Sequence, residues 1–298
     1  MIRLAVRVAR EQAELVLAEL LDLAPAGVEE VALGPHTVEY AVYGAPGELP
    51  RLPDLRAAVG EALVELSTSE LPDDWSERWK RFHRPALINA PASQGGRRLP
   101  DLRIRPPWEA PAGAEDRHVQ EIVIDPGQAF GTGGHASTRL CLALLLELAT
   151  GQPPAGALLD VGTGSGVLAI AAARLGFGPV LGLDNERESV TAARHNAAVN
   201  QAAIDVRHLD LRTQALPWMD IADRPSGPLS VVANLLRPLL LALADSIAAP
   251  PAHLIAGGLL ADEVDEVVDA FGDRLALRER HRLHSGDWAA VWLAGADT

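Results

Sequence analysis

Leu158-Leu-Asp-Val-Gly-Thr-Gly-Ser-Gly166 is the stretch whose reading decides the fold. Two leucines lead into Asp160 and Val161, and glycines follow at Gly162, Gly164 and Gly166. Val167–Leu175 continues as an apolar run of good helix formers. The order predicts strand, tight turn, helix. Glycines there allow positive φ and let a ligand approach backbone without a Cβ in the way. The turn lies at the carboxyl end of a strand, where open α/β sheets bind their ligands.

About twenty residues on, Val180-Leu-Gly-Leu-Asp184 reads as the next parallel strand, ending in an acid. A carboxylate at that point can accept from both hydroxyls of a ribose. Turn and acid together predict a nucleoside site. The dinucleotide fingerprint G-x-G-x-x-G holds a pyrophosphate on its amides and helix N-terminus. Here the third glycine comes one residue early, and the dinucleotide slot is Val167. Asp160 precedes the turn, and an anion suits a cationic ligand better than a pyrophosphate. D-x-G-x-G-x-G resembles the first motif of class I S-adenosylmethionine methyltransferases.

The chain has 298 residues, enough for one large or two ordinary domains. Hydrophobic residues make up 48%, which permits a full core. The formal net charge of -14 argues against a broad nucleic-acid footprint and is compatible with a basic protein partner. Cys141 is the one cysteine, so no disulfide can form within the chain, which fits a reducing compartment. No apolar run reaches about 18 residues and no signal-peptide layout opens the sequence. The expectation is a soluble cytoplasmic protein without membrane contact.

Residues 1–66 predict strand (Ile2–Val8), helix (Glu11–Leu23), two strands (Val28–Leu33, Thr37–Tyr43) and a second helix over Asp54–Leu66. That order suggests a small ferredoxin-like α+β domain for substrate recognition. Residues 67–115 read as a linker with some structure of its own, carrying Trp75, Trp79 and Trp108 and a Pro/Gly/Ser/Gln loop over 91–100. Residues 116–298 read as the catalytic α/β domain. Strands are expected at Ala157–Val161, Val180–Asp184, Ile204–Leu209, Leu229–Asn234, His253–Ala256, Arg274–Arg282 and Ala289–Leu293. Helices at Val167–Leu175, Glu186–Asn200, Leu235–Ile247 and Asp262–Phe271 alternate with the first five. Such alternation means a parallel sheet with right-handed crossovers. The last two strands have only a turn between them and pair as an antiparallel hairpin.

Ile122–Thr138, reading IVIDPGQAFGTGGHAST, is the most specific segment. A strand ends at Asp125, a glycine-dense loop with Phe130 follows, and Ser137 and Thr138 open a helix with hydroxyls suited to capping it. DPGQAFGTGGHASTRLCL, LLDVGTGSGVLAIAAARLG, LGLDNERESVTAARHNAAVN and VVANLL together closely resemble the PrmA family. That family methylates lysines of protein eleven of the large ribosomal subunit. The likeness implies a seven-stranded class I methyltransferase sheet and S-adenosylmethionine as cofactor. It implies a basic ribosomal protein as partner, and the expected state is a monomer.

By that resemblance Gly162 and Gly164 lie against the methionine part of the cofactor and Asp184 holds the ribose. Phe130, His135 and Thr138 sit beside cofactor and target amine, and Asn234 faces the methyl group. The family commonly has Thr or His where this chain has Gly134, Thr where it has Ser137, and a small residue where Leu236-Arg237-Pro238 begins. Asn234 also carries a reading of its own. Methyltransferases of bases and glutamine amides follow their Asn with Pro-Pro-aromatic, which stacks a planar nitrogen; here Leu235-Leu236 follows. An aliphatic amine suits this chain better, and the Asn oxygen can accept from it. The reaction implied is in-line displacement by a neutral amine. A lysine near pKa 10.4 is below about 0.1% neutral at pH 7, so the site must favour proton loss. His135 either accepts that proton or only hydrogen-bonds the loop. His195, His208, His253, His281 and His284 lack metal-ligand spacing, and no metal is expected. Three rivals stay open: a class I methyltransferase for another protein or a small molecule, a nicotinamide-dependent oxidoreductase, and a non-catalytic binding protein on a decayed methyltransferase scaffold.

Overall fold

The structure is a computed structural model. It describes the chain apart from residues 1, 14–15, 18–19, 21–27, 33–36, 45–48, 51–54, 56–59, 71–82, 93–98, 114–117, 127–130, 132, 151–155, 218–227 and 296–298. Two compact units divide it, Met1–Phe82 and His83–Thr298. The division falls inside the 67–115 stretch. Trp75 and Trp79 lie outside the described residues.

The first unit is an antiparallel sheet of β1 (Ile2–Ala9), β2 (Glu29–Ala32), β3 (Thr37–Gly44) and β4 (Leu63–Glu70), in the order β2-β3-β1-β4. Period-two alternation sends Leu4, Val6 and Val8 with Val38 and Tyr40 into one core, against the helical residues Ala13, Val16 and Leu20. The Tyr40 hydroxyl donates to the Ala13 carbonyl at 3.0 Å. Arg3 and Arg7 point the other way and converge on Glu39, at 2.5 and 2.7 Å. Their side-chain hydrogen bonds lower the Glu39 pKa.

The ferredoxin-like expectation thus gains a fourth strand. The second helix does not run to Leu66. Leu55 is helical, but β4 starts at Leu63 and pairs with β1 along its length. The leucines keep helical spacing, but Ser67-Thr68-Ser69 are poor helix formers and the β1 edge offers a ladder.

In the second unit β5 (Ala86–Ile88), β6 (Asp101–Arg105) and β7 (Val119–Val123) form a small sheet, β6 and β7 parallel. Its buried Leu102, Ile104 and Ile122 join one core with helices α1 (Ala136–Thr150) and α2 (Val167–Leu175). Among the described residues this unit also holds a seven-stranded sheet of β8 (Leu158–Val161), β9 (Val180–Asp184), β10 (Ile204–His208), β11 (Ser230–Asn234), β12 (His253–Leu260), β13 (Arg278–Ser285) and β14 (Trp288–Ala294). Helices α3 (Arg187–Val199), α4 (Arg237–Ser246) and α5 (Val264–Leu275) complete the alternation.

The order is β10-β9-β8-β11-β12-β14-β13, parallel except for the β12–β14 and β13–β14 pairings. β8 and β9 are buried along their whole length, as strands covered on both faces must be. α1 and α2 cover one face and α4 and α5 the other. The chain leaves β8 towards β9 on one side and reaches β11 on the other. The switch point therefore lies between the ends of β8 and β11, which pair directly. β12 runs four residues beyond the predicted Ala256 through a bulge, where its register with β14 shifts between Ala256 and Leu259. β13 starts later than expected because α5 continues to Leu275.

Candidate active site

The glycine turn closes the end of β8. The amides of Gly162 and Thr163 both donate to the Leu183 carbonyl, at 2.8 and 2.9 Å, which ties the turn to β9. Gly162 sits at φ 75°, and a Cβ there would overlap Leu235 Cδ2. Leu235 follows Asn234, so turn and strand end touch across the switch point. Asp184 is buried to 8% exposure at the end of β9. One oxygen accepts from the Gly164 amide at 2.8 Å and the other from the Glu186 amide at 3.0 Å. Each oxygen keeps further acceptor capacity. Gly162, Gly164 and Asp184 are thus brought together. A hollow beside them is walled by Leu209, Asp210, Leu211 and Arg212 after β10 and by Leu235 and Leu239. Those residues were missed in the sequence; the acid directly after the third strand was their signal.

Asp160 is not the ligand-facing anion its position suggested. It is fully buried, and one oxygen accepts from the Thr163 hydroxyl at 2.7 Å and the Ala169 amide at 3.1 Å. Its other oxygen has no protein partner. Burial, with the nearby Asp184 charge as a minor cause, pushes its pKa up to about 7. A carboxylate on the first turn of α2 occupies an amide that a pyrophosphate would need.

The second half of the site forms where α1 meets β11. The Asn234 amide nitrogen donates to Thr138 Oγ1 at 3.2 Å, while its oxygen is buried without a partner. Gly257 and Gly258 make room: a Cβ on Gly257 would overlap Cys141 Sγ and lie 3.3 Å from the Asn234 oxygen. A Cβ on Gly258, at φ 79°, would lie 2.5 Å from the Leu235 carbonyl. Burial raises the Cys141 pKa, which keeps the thiol protonated.

His135 corrects the capping expectation. It stands ahead of α1 and accepts the Arg139 amide on its carbonyl at 3.1 Å. Its ring Nδ1 takes the Ser137 amide at 3.3 Å and lies 2.8 Å from the Ser137 hydroxyl. The histidine ring therefore caps the helix, and Thr138 is left to hold Asn234. With Nδ1 as acceptor, the neutral ring carries its proton on Nε2. Burial lowers the His135 pKa. The ring stands edge-on to Trp288 at 4.7 Å, a neighbour from β14 that spacing does not reveal. Phe130 lies outside the described residues.

The strand order, the glycine turn after the central strand and the acid after its neighbour define the class I methyltransferase fold. The crystal structure of a ribosomal protein L11 methylase from Lactobacillus delbrueckii subsp. bulgaricus matches with a TM-score of 0.55 at 30% identity, over 70% of this chain and 98% of that one. The family described as ribosomal protein L11 methyltransferase, PrmA, matches residues 55–294, and the chain belongs to it.

A relative named ribosomal protein L11 methyltransferase from Syntrophotalea carbinolica is 36% identical over 291 residues, 88% of this chain and 87% of its own length. One of the same name from Heliobacterium modesticaldum is 38% identical over 224 residues. Of that protein the chain spans 63%, and of the Caldicellulosiruptor saccharolyticus relative 64%. Among the described residues no helix is long and apolar enough to cross a membrane.

Proposed function

We propose that this chain transfers methyl groups from S-adenosylmethionine to amines of ribosomal protein L11, on lysine side chains and the N-terminal α-amine. One observation carries the reading: the Thr138–Asn234 hydrogen bond stands at the end of β11, beside the turn that abuts Leu235. A nucleoside fits the hollow, with Asp184 for the ribose and leucines as apolar walls. A dinucleotide fits poorly, because Asp160 already takes the Ala169 amide and the Ser165 hydroxyl takes that of Val167, at 3.4 Å. S-adenosylmethionine, when bound, supplies a methyl group on a positively charged sulfur.

In this reading Gly162 and Gly164 admit the methionine end and Asp184 orients the ribose. Asn234, held by Thr138, accepts from the incoming amine, and His135 stands at the start of the same helix as Thr138. His135 acts by orienting the start of α1, because its acceptor nitrogen is engaged in the cap. Proton loss from the amine is favoured by burial against Leu235. Rate acceleration then comes from holding nucleophile and methyl carbon in line. We assign substrate recognition to residues 1–66, within the first unit, and expect a cytoplasmic monomer without nucleic-acid readout.

Incubation with labelled S-adenosylmethionine and purified L11 tests this. The expected result is label on L11 and a mass gain in multiples of one methyl. Cofactor binding without L11 labelling would redirect the reading to another acceptor. Stabilisation by NAD and not by S-adenosylmethionine would overturn it.

A further inference from the structure

α3 carries a buried asparagine, Asn196 at 1% exposure, and a second, Asn200 at 4%, caps its C-terminus. Asparagine is a poor helix residue, and a buried amide is costly unless each end is satisfied. Both are satisfied by backbone outside the helix. Asn200 accepts from the Val123 amide at 2.8 Å and donates to the Val123 carbonyl at 2.6 Å, as a paired strand would. Asn196 accepts from the Asp125 amide at 3.2 Å and donates to the Ser165 carbonyl at 2.9 Å. Ser165, fully buried in the glycine turn, donates its hydroxyl to the Gly131 carbonyl at 2.5 Å.

A closed circuit results. The segment leading to α1 is fastened at Asp125 through Asn196 and at Gly131 directly, and both fastenings end on Ser165. His135 and Thr138 follow immediately downstream. The contacts run from the cofactor turn through Ser165 to Gly131, five residues ahead of α1, and from Thr138 in α1 to Asn234.

We propose that Ser165 and Asn196 are positioning residues for methyl transfer: they register the start of α1, and through Thr138 the Asn234 amide, against the cofactor turn. The inference rests on the methyltransferase reading above. Neither side chain lines the hollow beside Asp184. Their loss should therefore spare cofactor affinity and slow the chemical step, which depends on alignment.

The test uses the full chain with Ser165→Ala, Asn196→Asp and the double variant. Asn196→Asp keeps the acceptor for Asp125 and loses the donor to Ser165. Three quantities are read: thermal midpoint, S-adenosylhomocysteine affinity by calorimetry, and the single-turnover rate on L11 at saturating cofactor. Folded single variants should keep affinity within about three-fold and lose about ten-fold or more in rate. The double variant should lose no more than the worse single. Equal loss of affinity and rate would overturn the inference, as would unchanged rates or a double variant equal to the product of the singles. Wild type that binds no cofactor or leaves L11 unlabelled would remove the methyltransferase reading and this inference with it. Wild type that works beside insensitive variants would remove the inference alone.

Discussion

Replacing Asp160 by Asn should change how the second unit's stability depends on pH. The carboxyl is fully buried, and its pKa rises from the ordinary 3.8 to about 7. The sign follows from the two states. Below 3.8 the group is protonated folded and unfolded, so nothing is lost. Between 3.8 and about 7 the unfolded chain ionises and the folded one does not, and stability falls as pH rises. At about 1.4 kcal/mol per pH unit the total loss is about 4 kcal/mol, of which about 2.5 kcal/mol falls between pH 5 and pH 8. Asparagine can keep both bonds on one oxygen, to Thr163 and Ala169, and cannot ionise. Urea unfolding at pH 5, 6, 7 and 8 compares the two proteins. Burial lowers the pKa of His135 and His253, but both histidines are present in each protein and cancel in the difference. Wild type should lose stability relative to Asp160→Asn by about 2.5 kcal/mol over that range. Parallel profiles would refute the argument that Asp160 is held against its charge.

Gly162→Ala forces a Cβ into Leu235 Cδ2 at φ 75°. It should cost about 1–3 kcal/mol in stability and weaken S-adenosylhomocysteine at least ten-fold by calorimetry. Thr138→Val removes the acceptor for the Asn234 amide at nearly constant shape. Turnover on L11 should drop about ten-fold, or about 1.4 kcal/mol, with cofactor affinity kept. The His135 ring, followed by NMR, should titrate below 6.5, so the stability it adds is present above that pH and fades as pH falls through its folded value. A midpoint above 6.5 would show that the ring is not buried in the cap.

The parallel core was legible because burial on two faces leaves a plain signature. Leu158–Val161 and Val180–Asp184 are short, largely apolar runs, the first interrupted by Asp160, that end in turn and acid, and Val167–Leu175 lies where its composition puts a helix. β4 was not legible, since its leucines continue a helical spacing and only the β1 edge decides otherwise. β12 runs past the expected Ala256 because a bulge, with Gly258 at φ 79°, carries the strand on to Leu260, a pairing with β14 that local spacing does not reveal. At the site, turn and ribose acid follow from local spacing. Trp288 beside His135, Ser165 beneath Gly131 and Asn196 against Asp125 do not, because each joins segments far apart in sequence.

The bulge in β12 has a consequence for sidedness. Leu254 and Ala256 face the α4–α5 core, and strict alternation would send Leu259 to the opposite face. The surplus residue at Gly258 turns it back, so Leu259 is fully buried with them. Forcing the strand into regular alternation at Gly258, with no residue removed, would thus do more than undo a kink. It would expel a leucine from one layer and thrust it into the other, close to where Asn234 ends its own strand.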